Sequence, residues 1–324
     1  MNNTTLKEIS TALNISISTV SRALNNHPDI SEKTKQRVME LARTLDYEPN
    51  ATAIQLRTSK SNVFGLVVPL ISNFFYHSFI AAMEEECRQN KYTLMILQTG
   101  NDPATEAANL RLCRQSRVSG VFACIADLSN IDSYLKMEKL NIPVVFFDKV
   151  PDMPDFNKVC VADEASSVIA ARAILEKGKK KILALMGSNE LLMTRKRLTS
   201  FQKAIGGEAE VIVRYCGSTP EAESAMQDAI AEKPDAVFCM SDEVLTGAMK
   251  TILRLGLKLP EDLGMIAVSN GFLTNLYYPE ITYVETSGYK LGKLAFTRMM
   301  ECVAGSSFVT ELTSEVELVP GGSL

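Results

Sequence analysis

The chain has 324 residues, enough for two or three domains, and its 46% hydrophobic and 22% charged content excludes a mainly disordered protein. The net charge of −4 hides an asymmetry: residues 1–60 carry +2 and the remainder −6, a mildly basic head on an acidic body. No apolar run approaches the ~18 residues of a membrane span, residues 1–5 carry no secretory pattern, and the seven cysteines never form a Cys-x-x-Cys pair, which together predict a cytoplasmic protein with no membrane partner, no disulfide frame and no zinc site.

The first sixty residues show helical patterns only. Thr5-Leu6-Lys7-Glu8 is a capping box, followed by Leu6, Ile9, Ala12 and Leu13 at helical spacing. Asn14 breaks that helix and Ser16 caps a second over Ile17–Leu24, in which Val20 and Leu24 are core positions. After the loop Asn25-Asn26-His27-Pro28, Ser31 caps a third helix with Val38, Leu41, Ala42 and Leu45 on one face. A turn this short between the first two helices forces a steep crossing. Pro49-Asn50 then precedes Ala51–Leu56, barely two turns and marginal as an isolated helix, and residues 57–62 form a polar linker.

From Val63 the pattern becomes strand–helix alternation. Strands are predicted at Val63–Leu70, Thr93–Gln98, Gly120–Ile125 and Val144–Asp148, with helices near Phe79–Gln89, Ala104–Arg117 and Ile131–Leu140. A second series begins at Val159–Asp163 and continues through Lys181–Met186, Val211–Tyr215, Ala236–Ser241 and Gly264–Val268. Its helices fall near Ser166–Leu175, Leu198–Ile205, Glu221–Glu232 and Val244–Leu255. Two such series imply two parallel sheets, each covered on both faces. Helix Tyr289–Val303 and strands around Tyr283 and Val309–Leu318 can complete either sheet.

Catalytic constellations are absent. Two histidines cannot make His-Glu-x-x-His, and neither Gly-x-Ser-x-Gly nor Gly-x-Gly-x-x-Gly follows a first strand. Gly288-Tyr-Lys-Leu-Gly292-Lys293-Leu294 is one residue short of a phosphate loop and lacks its Ser/Thr. Asp242-Glu243 after a strand reads as a helix N-terminus, where acids suit the dipole. No catalytic residue, cofactor or metal is therefore expected, while a binding cleft is expected outside the carboxyl ends of the strands.

At the second helix the sequence becomes specific. Asn14-Ile-Ser-Ile-Ser-Thr-Val-Ser-Arg-Ala-Leu-Asn25 resembles the helix-turn-helix of the lactose-repressor/galactose-repressor family of bacterial transcription regulators. Ser31-x-x-Thr34, residues 45–50, Gly65–Pro69, Ile71–Asn73, Val144–Asp148, Val161–Asp163, Arg197–Phe201, Ser241–Glu243, Pro279–Thr282 and Gly288–Gly292 extend the likeness over essentially the whole chain. The resemblance implies an α/β architecture: a small all-α head over residues 1–48, a hinge helix and linker over 49–61, and two Rossmann-like lobes resembling a periplasmic sugar-binding protein. The lobes are expected at 62–160 with 287–312 and at 161–286 with 313–324. It also implies a homodimer on double-stranded palindromic operator DNA, repressing transcription in response to a sugar-like effector held between the lobes. The chain carries no C-terminal leucine heptad of the kind that makes some members tetramers.

Residue by residue, the resemblance assigns Thr5, Ser16, Ile17, Ser18, Thr19, Ser21, Arg22, Asn25, Asp29, Ser31, Thr34 and Tyr47 to DNA contact. Ser, Thr and Arg donate to phosphates and base edges, and Ile17 offers an apolar contact such as to a thymine methyl. Asn50, Ala53 and Leu56 match the hinge helix, whose leucine wedges into the minor groove. For the effector it points to Asn73, Phe75, Tyr76, Asp127, Asp148, Arg197, Ser241 and Asp242. Asp148 and Arg197 can each bond ligand hydroxyls or pair with each other. Three departures stand out: Phe74 replaces a usual proline, Ser241 a usual asparagine, and Ser269-Asn270-Gly271 a usual Gly-Phe-Asp-Asp run, with Asn270 and Glu285 as the candidates to replace a lost carboxylate. A solute-binding protein without DNA function and a Rossmann-type enzyme are the alternatives; the head opposes the first and the missing nucleotide motifs the second.

Overall fold

The computed structural model describes residues 4–47 and 61–324, which belong to two units divided at Lys60. In the head, α1 (Leu6–Leu13), α2 (Ile17–Leu24) and α3 (Glu32–Thr44) each start on a hydroxyl. Thr5, Ser16 and Ser31 accept the N–H groups of Glu8, Thr19 and Thr34, satisfying donors that a helix start leaves without partners. Thr5 completes the capping box by donating its own N–H to Glu8 Oε2 at 2.7 Å. Asn14, at φ 53, stops α1 in the left-handed conformation that asparagine tolerates.

Ile9, Val20, Ala23, Val38 and Ala42 are the buried centre, with Leu24 packed at its margin. Two expected face residues fall outside it. Ala12 is exposed, and Leu45 ends α3 as its C-cap with 36% of its surface in solvent, beyond the helical path that would turn it inward. The expected short helix Ala51–Leu56 lies outside the described residues.

The core unit holds two sheets. The first is wholly parallel, in the order β11-β5-β4-β3-β1-β2: β1 Val63–Val68, β2 Thr93–Gln98, β3 Gly120–Ala123, β4 Val144–Phe147, β5 Asn157–Val161 and β11 Glu311–Ser314. Its helices are α4 (Phe74–Gln89), α5 (Pro103–Gln115), α6 (Ile131–Lys139) and α11 (Gly288–Val303). The second has the order β12-β10-β9-β8-β6-β7: β6 Lys181–Met186, β7 Glu210–Tyr215, β8 Ala236–Cys239, β9 Gly264–Ser269, β10 Thr282–Glu285 and the antiparallel β12 Glu317–Val319. Here the helices are α7 (Asp163–Glu176), α8 (Leu192–Ile205), α9 (Thr219–Ala229) and α10 (Asp242–Leu255).

Burial on both faces explains the unbroken apolar strands. Phe64, Leu66 and Val68 of β1 enter one cluster while Val67 enters the cluster on the opposite face, the two-residue period of a strand. Each cluster is lined by aromatics, such as Phe79 stacked on Phe147 at 3.9 Å.

Two expectations need correction. The strand expected to open the second series at Val159–Asp163 is β5, paired with β4 and β11, so it belongs to the first sheet. Asp163 and Glu164 are instead the acidic first turn of α7, where the helix dipole favours them. The single strand expected over Val309–Leu318 is two: β11 joins the first sheet through Ser314, past the crossing expected at 312, and β12 joins the second. The chain thus crosses between lobes after β5, after β10 and after β11.

The run rejected as a phosphate loop has a packing role. A Cβ at Gly292 would lie 2.9 Å from Ala82 Cβ and 3.0 Å from Phe79 O, and one at Gly288 would strike Phe75 O. Glycine therefore lets α11 lie directly on α4. That contact fixes the start of α4, where the cleft begins.

Candidate functional site: a DNA-reading head and an interlobe cleft

On α2 the exposed positions are Ile17, Ser18 and Arg22, opposite the buried Val20 and Ala23. Ile17 is 47% exposed at the first turn, an apolar side chain that the head itself leaves in solvent. Arg22 lies 3.9 Å from Asp29 with both side chains more than half exposed, a contact too weak to withdraw the guanidinium from a partner. Ser16 Oγ lies 2.7 Å from Ser18 Oγ and 2.8 Å from Thr19 Oγ1, and Ser21 is half-buried. Asn25 donates its amide to Ser21 O at 2.7 Å, so its contribution is to finish α2.

Thr5, Ser16 and Ser31 serve as helix caps, each accepting a backbone N–H of its own first turn. Thr34 Oγ1 lies 2.9 Å from Ser31 Oγ, and Tyr47 packs half-buried against the head core, its phenol pushed up by partial burial. Asn50, Ala53 and Leu56 lie outside the described residues.

In the core, a cleft of about 330 Å³ opens at the carboxyl ends of β1, β4, β6 and β8, as a doubly wound sheet requires. A neighbouring cavity of about 260 Å³ continues it, sharing Asp148, Lys149 and Glu190. Seven of the residues proposed for the effector line the main cleft: Asn73, Phe75, Tyr76, Asp148, Arg197, Ser241 and Asp242. Asp127 lines the neighbouring cavity and accepts the N–H of Ser129 at 2.7 Å.

Asp148 sits at the end of β4 with φ 57, a left-handed backbone that aims its carboxylate at α4. The buried Tyr76 hydroxyl donates to Asp148 Oδ2 at 2.6 Å. Burial, and then the neighbouring Asp148, push the phenol well above its usual range, so Tyr76 remains a neutral donor. Cys124 Sγ lies 3.4 Å from that hydroxyl, and burial raises its thiol to about 12. It is a packing thiol, not a nucleophile.

Arg197 does not pair with Asp148. It is 3% exposed, with Nε and Nη2 each 2.8 Å from Asp163 Oδ1 and Nη1 donating to Met240 O at 2.6 Å. Burial raises the Asp163 carboxyl and the guanidinium opposes that rise. The second-lobe wall is completed at α10, where Ser241 accepts the Val244 N–H as N-cap and Asp242 and Glu243 occupy the first turn. Asp242 accepts the Ser269 hydroxyl and, at 3.2 Å, the Asn270 N–H; burial raises its carboxyl despite these bonds.

The mouth is bridged. Asn73 Oδ1 accepts the N–H groups of Phe75 and Tyr76 as N-cap of α4, while its Nδ2 donates to Glu243 Oε1 at 3.0 Å on the opposite lobe. Phe74 takes the first helical position with ordinary cap geometry at Asn73, and its ring stacks on Phe272 of the other lobe at 4.6 Å and 21°. Neither candidate for the lost carboxylate lines the cleft. Asn270 Oδ1 accepts the Phe272 N–H within its own turn, and Glu285 holds Lys290 at 2.7 Å.

Glu243, Lys149, Glu190 and Asn101 also line the cleft, and sequence reasoning did not nominate them. Lys149 and Glu243 each follow a nominated residue at a strand end, so extending the strand-end rule by one position would have found them.

Residues 5–50 match the family of bacterial regulatory proteins, lacI family, and residues 61–318 match the periplasmic binding proteins and sugar binding domain of LacI family. The chain is 27% identical over 305 residues to the HTH-type transcriptional repressor PurR of Vibrio vulnificus, covering 92% of this chain and 91% of that protein. The lac repressor dimer bound to operator and the anti-inducer ONPF superposes with a TM-score of 0.89 at 21% identity, over 99% of both chains. The transcriptional regulator CelR in complex with cellobiose gives 0.73 at 19% identity, over 99% of this chain and 100% of that one. These relatives are regulators rather than enzymes. With a head and a core that each match, in order and over nearly the full length, the chain belongs to the LacI family of bacterial regulatory proteins.

Proposed function

We propose that the protein is an effector-responsive repressor that acts in the cytoplasm, binding a palindromic operator as a homodimer and holding a small sugar or sugar derivative between its lobes. The observation that carries this reading is the cleft that gathers Asn73, Phe75, Tyr76, Asp148, Arg197, Ser241 and Asp242 in a chain whose head presents Ile17, Ser18 and Arg22 on one exposed helix face. The lac repressor solved as a dimer on operator, and CelR solved with cellobiose, support the oligomer and the ligand class. Regulation follows if the effector favours one arrangement of the two lobes, since a ligand shifts an equilibrium only by its differential affinity. Asp148, Asp242 and Asn73 are the polar contacts and Phe75 and Tyr76 the aromatic wall. Arg197 contributes by holding α8 against Asp163 and Met240.

Selecting bound sequences from random DNA tests the proposal. An inverted repeat with two half-sites is the expected product, with sedimentation showing a dimer. Recovery of no enriched sequence, or of a single asymmetric site bound by a monomer, would overturn it.

A further inference from the structure

We infer that the effector carries a protonated amine among hydroxyl groups, the chemistry of an amino sugar, and that the cleft rejects phosphorylated sugars; this rests on the cleft being the effector site. The charged side chains on its wall are Asp148, Glu190, Asp242 and Glu243 against Lys149 and Arg197. Arg197 is already neutralised by Asp163, which leaves Lys149 as the cation on the main cleft's wall that pairs with no acid among the described residues, while Arg195 and Lys196 line the neighbouring cavity. Lys149 in turn donates to Asn101 Oδ1 at 2.8 Å.

Three of these carboxylates have neutral hydrogen-bond partners. Asp148 accepts from the Tyr76 hydroxyl, Asp242 from the Ser269 hydroxyl and the Asn270 N–H, and Glu243 from the Asn73 amide. A carboxylate accepts about four hydrogen bonds, so each keeps room for a donor from a ligand. Acids gathered in a concave site, with water displaced when a ligand enters, attract a cation far more strongly than they would in bulk solvent. The ring faces of Phe75 and Tyr76 on the same wall also suit a cation or the apolar face of a sugar.

A phosphate finds no corresponding welcome. It calls for an uncommitted Arg or Lys, or for free N–H groups at a helix start. The Arg197 guanidinium is bound on both edges, Lys149 donates to Asn101 on a wall that carries four carboxylates, and Arg195 and Lys196 line only the neighbouring cavity. The two helix starts at the cleft are capped by Asn73 and Ser241, with Asp242 and Glu243 beside the second.

The test is calorimetric titration of the full-length protein below neutral pH with matched probes. These are D-glucosamine, D-galactosamine and D-mannosamine, the corresponding neutral and N-acetylated sugars, glucose 6-phosphate, and the simple amines ethanolamine and putrescine. One amino sugar should bind at least about tenfold tighter than its neutral and N-acetylated counterparts, the range of a charge-assisted hydrogen bond, with glucose 6-phosphate weakest. Asp148→Asn should erase most of that preference. Glu243→Gln, at an exposed helix start, gives the same comparison should Asp148→Asn fail to fold. Equal or tighter binding of a neutral or phosphorylated sugar overturns the inference and leaves the sugar-effector reading standing. A simple amine binding as tightly as the amino sugar overturns the hydroxyl requirement. Full preference retained in both variants assigns the selectivity elsewhere and also overturns it, and binding of no probe at all removes both the inference and the sugar reading.

Discussion

Replacing Arg197 by methionine should destabilise the core, not merely blunt its response to effector. Arg197 and Asp163 are 3% and 9% exposed, joined by two N–O distances of 2.8 Å, and Arg197 also bonds Met240 O. Arg197→Met removes the guanidinium bonded to a buried carboxylate, leaving only the weaker influence of Lys196. Removing one partner of a buried pair costs about 3–5 kcal/mol, a large share of the ~5–15 kcal/mol that stabilises an ordinary domain. At roughly 2–4 °C per kcal/mol, the core should melt about 6–20 °C lower. Asp163→Leu should fall in the same range. The double variant should lose far less than the two singles together, because two apolar side chains replace the pair in a site already lined by Met240 and Met193. Urea titrations of the parent, both singles and the double variant measure the coupling. A melting loss below about 1 kcal/mol for Arg197→Met, or strictly additive singles, would falsify the structural role. It would return Arg197 to the ligand-contact role that the sequence suggests. Asp148→Asn is the counterpart: its partner is the neutral Tyr76 hydroxyl, so effector affinity should fall with little change in melting.

In the head, Arg22→Ala should lower operator affinity by about 10–100-fold, the worth of a bidentate base contact, with core melting unchanged; normal mobility shift by the variant would displace the reading helix. Asp242 supplies a pH test. Its carboxyl is raised by burial, so its contribution to stability is complete below the unfolded value near 3.9 and is lost as pH rises through the folded value. Asp242→Asn should therefore gain on the parent in melting temperature between pH 4 and pH 7, and an opposite trend would contradict burial as the dominant cause. Phe74→Ala with Phe272→Ala should speed effector association and widen the core in solution scattering, whereas unchanged rate and dimensions would show that the stack does not hold the mouth.

Much of this was legible because it is local. The hydroxyl caps at Thr5, Ser16 and Ser31 need only a side chain and an N–H three residues away, and the apolar strands need only burial on both faces. A cleft outside the strand ends followed from the rule for open sheets, while its individual residues came from the family resemblance. What sequence could not supply was partnership across the fold. Arg197 meets Asp163 rather than Asp148 because α7 and α8 pack together in one lobe. The assignment of β5 and of the split β11 and β12 depends on which sheet offers an open edge, which no local pattern records. Glu285 looked available as a ligand carboxylate, yet it lies beside the crossing into α11, where Lys290 claims it.

The contacts that join the lobes differ in kind from those that build them. Each lobe is held by buried strands and aromatic clusters, whereas the bridges across the cleft are exposed: the Asn73–Glu243 bond at 3.0 Å, the Phe74–Phe272 stack at 4.6 Å, and the Lys196–Glu311 pair at 3.6 Å. An exposed ion pair contributes about 0.2–1 kcal/mol, a hydrogen bond about 0.5–1.5 and an aromatic pair about 0.5–1.5. These three bridges together contribute only a few kcal/mol, while a ligand of micromolar affinity brings about 8 kcal/mol to the cleft. A ligand bonding both Asp148 on one wall and Asp242 on the other outweighs the bridges, and its differential affinity then sets the balance of lobe arrangements. One of these bridges pairs Phe74, which stands where the resemblance implies a proline, with Phe272, next to the altered Ser269-Asn270-Gly271 turn. An apolar clasp thus stands at the mouth of the cleft, beside the turn where the resemblance implies a missing carboxylate, and it adds to what a ligand must outweigh to part the walls.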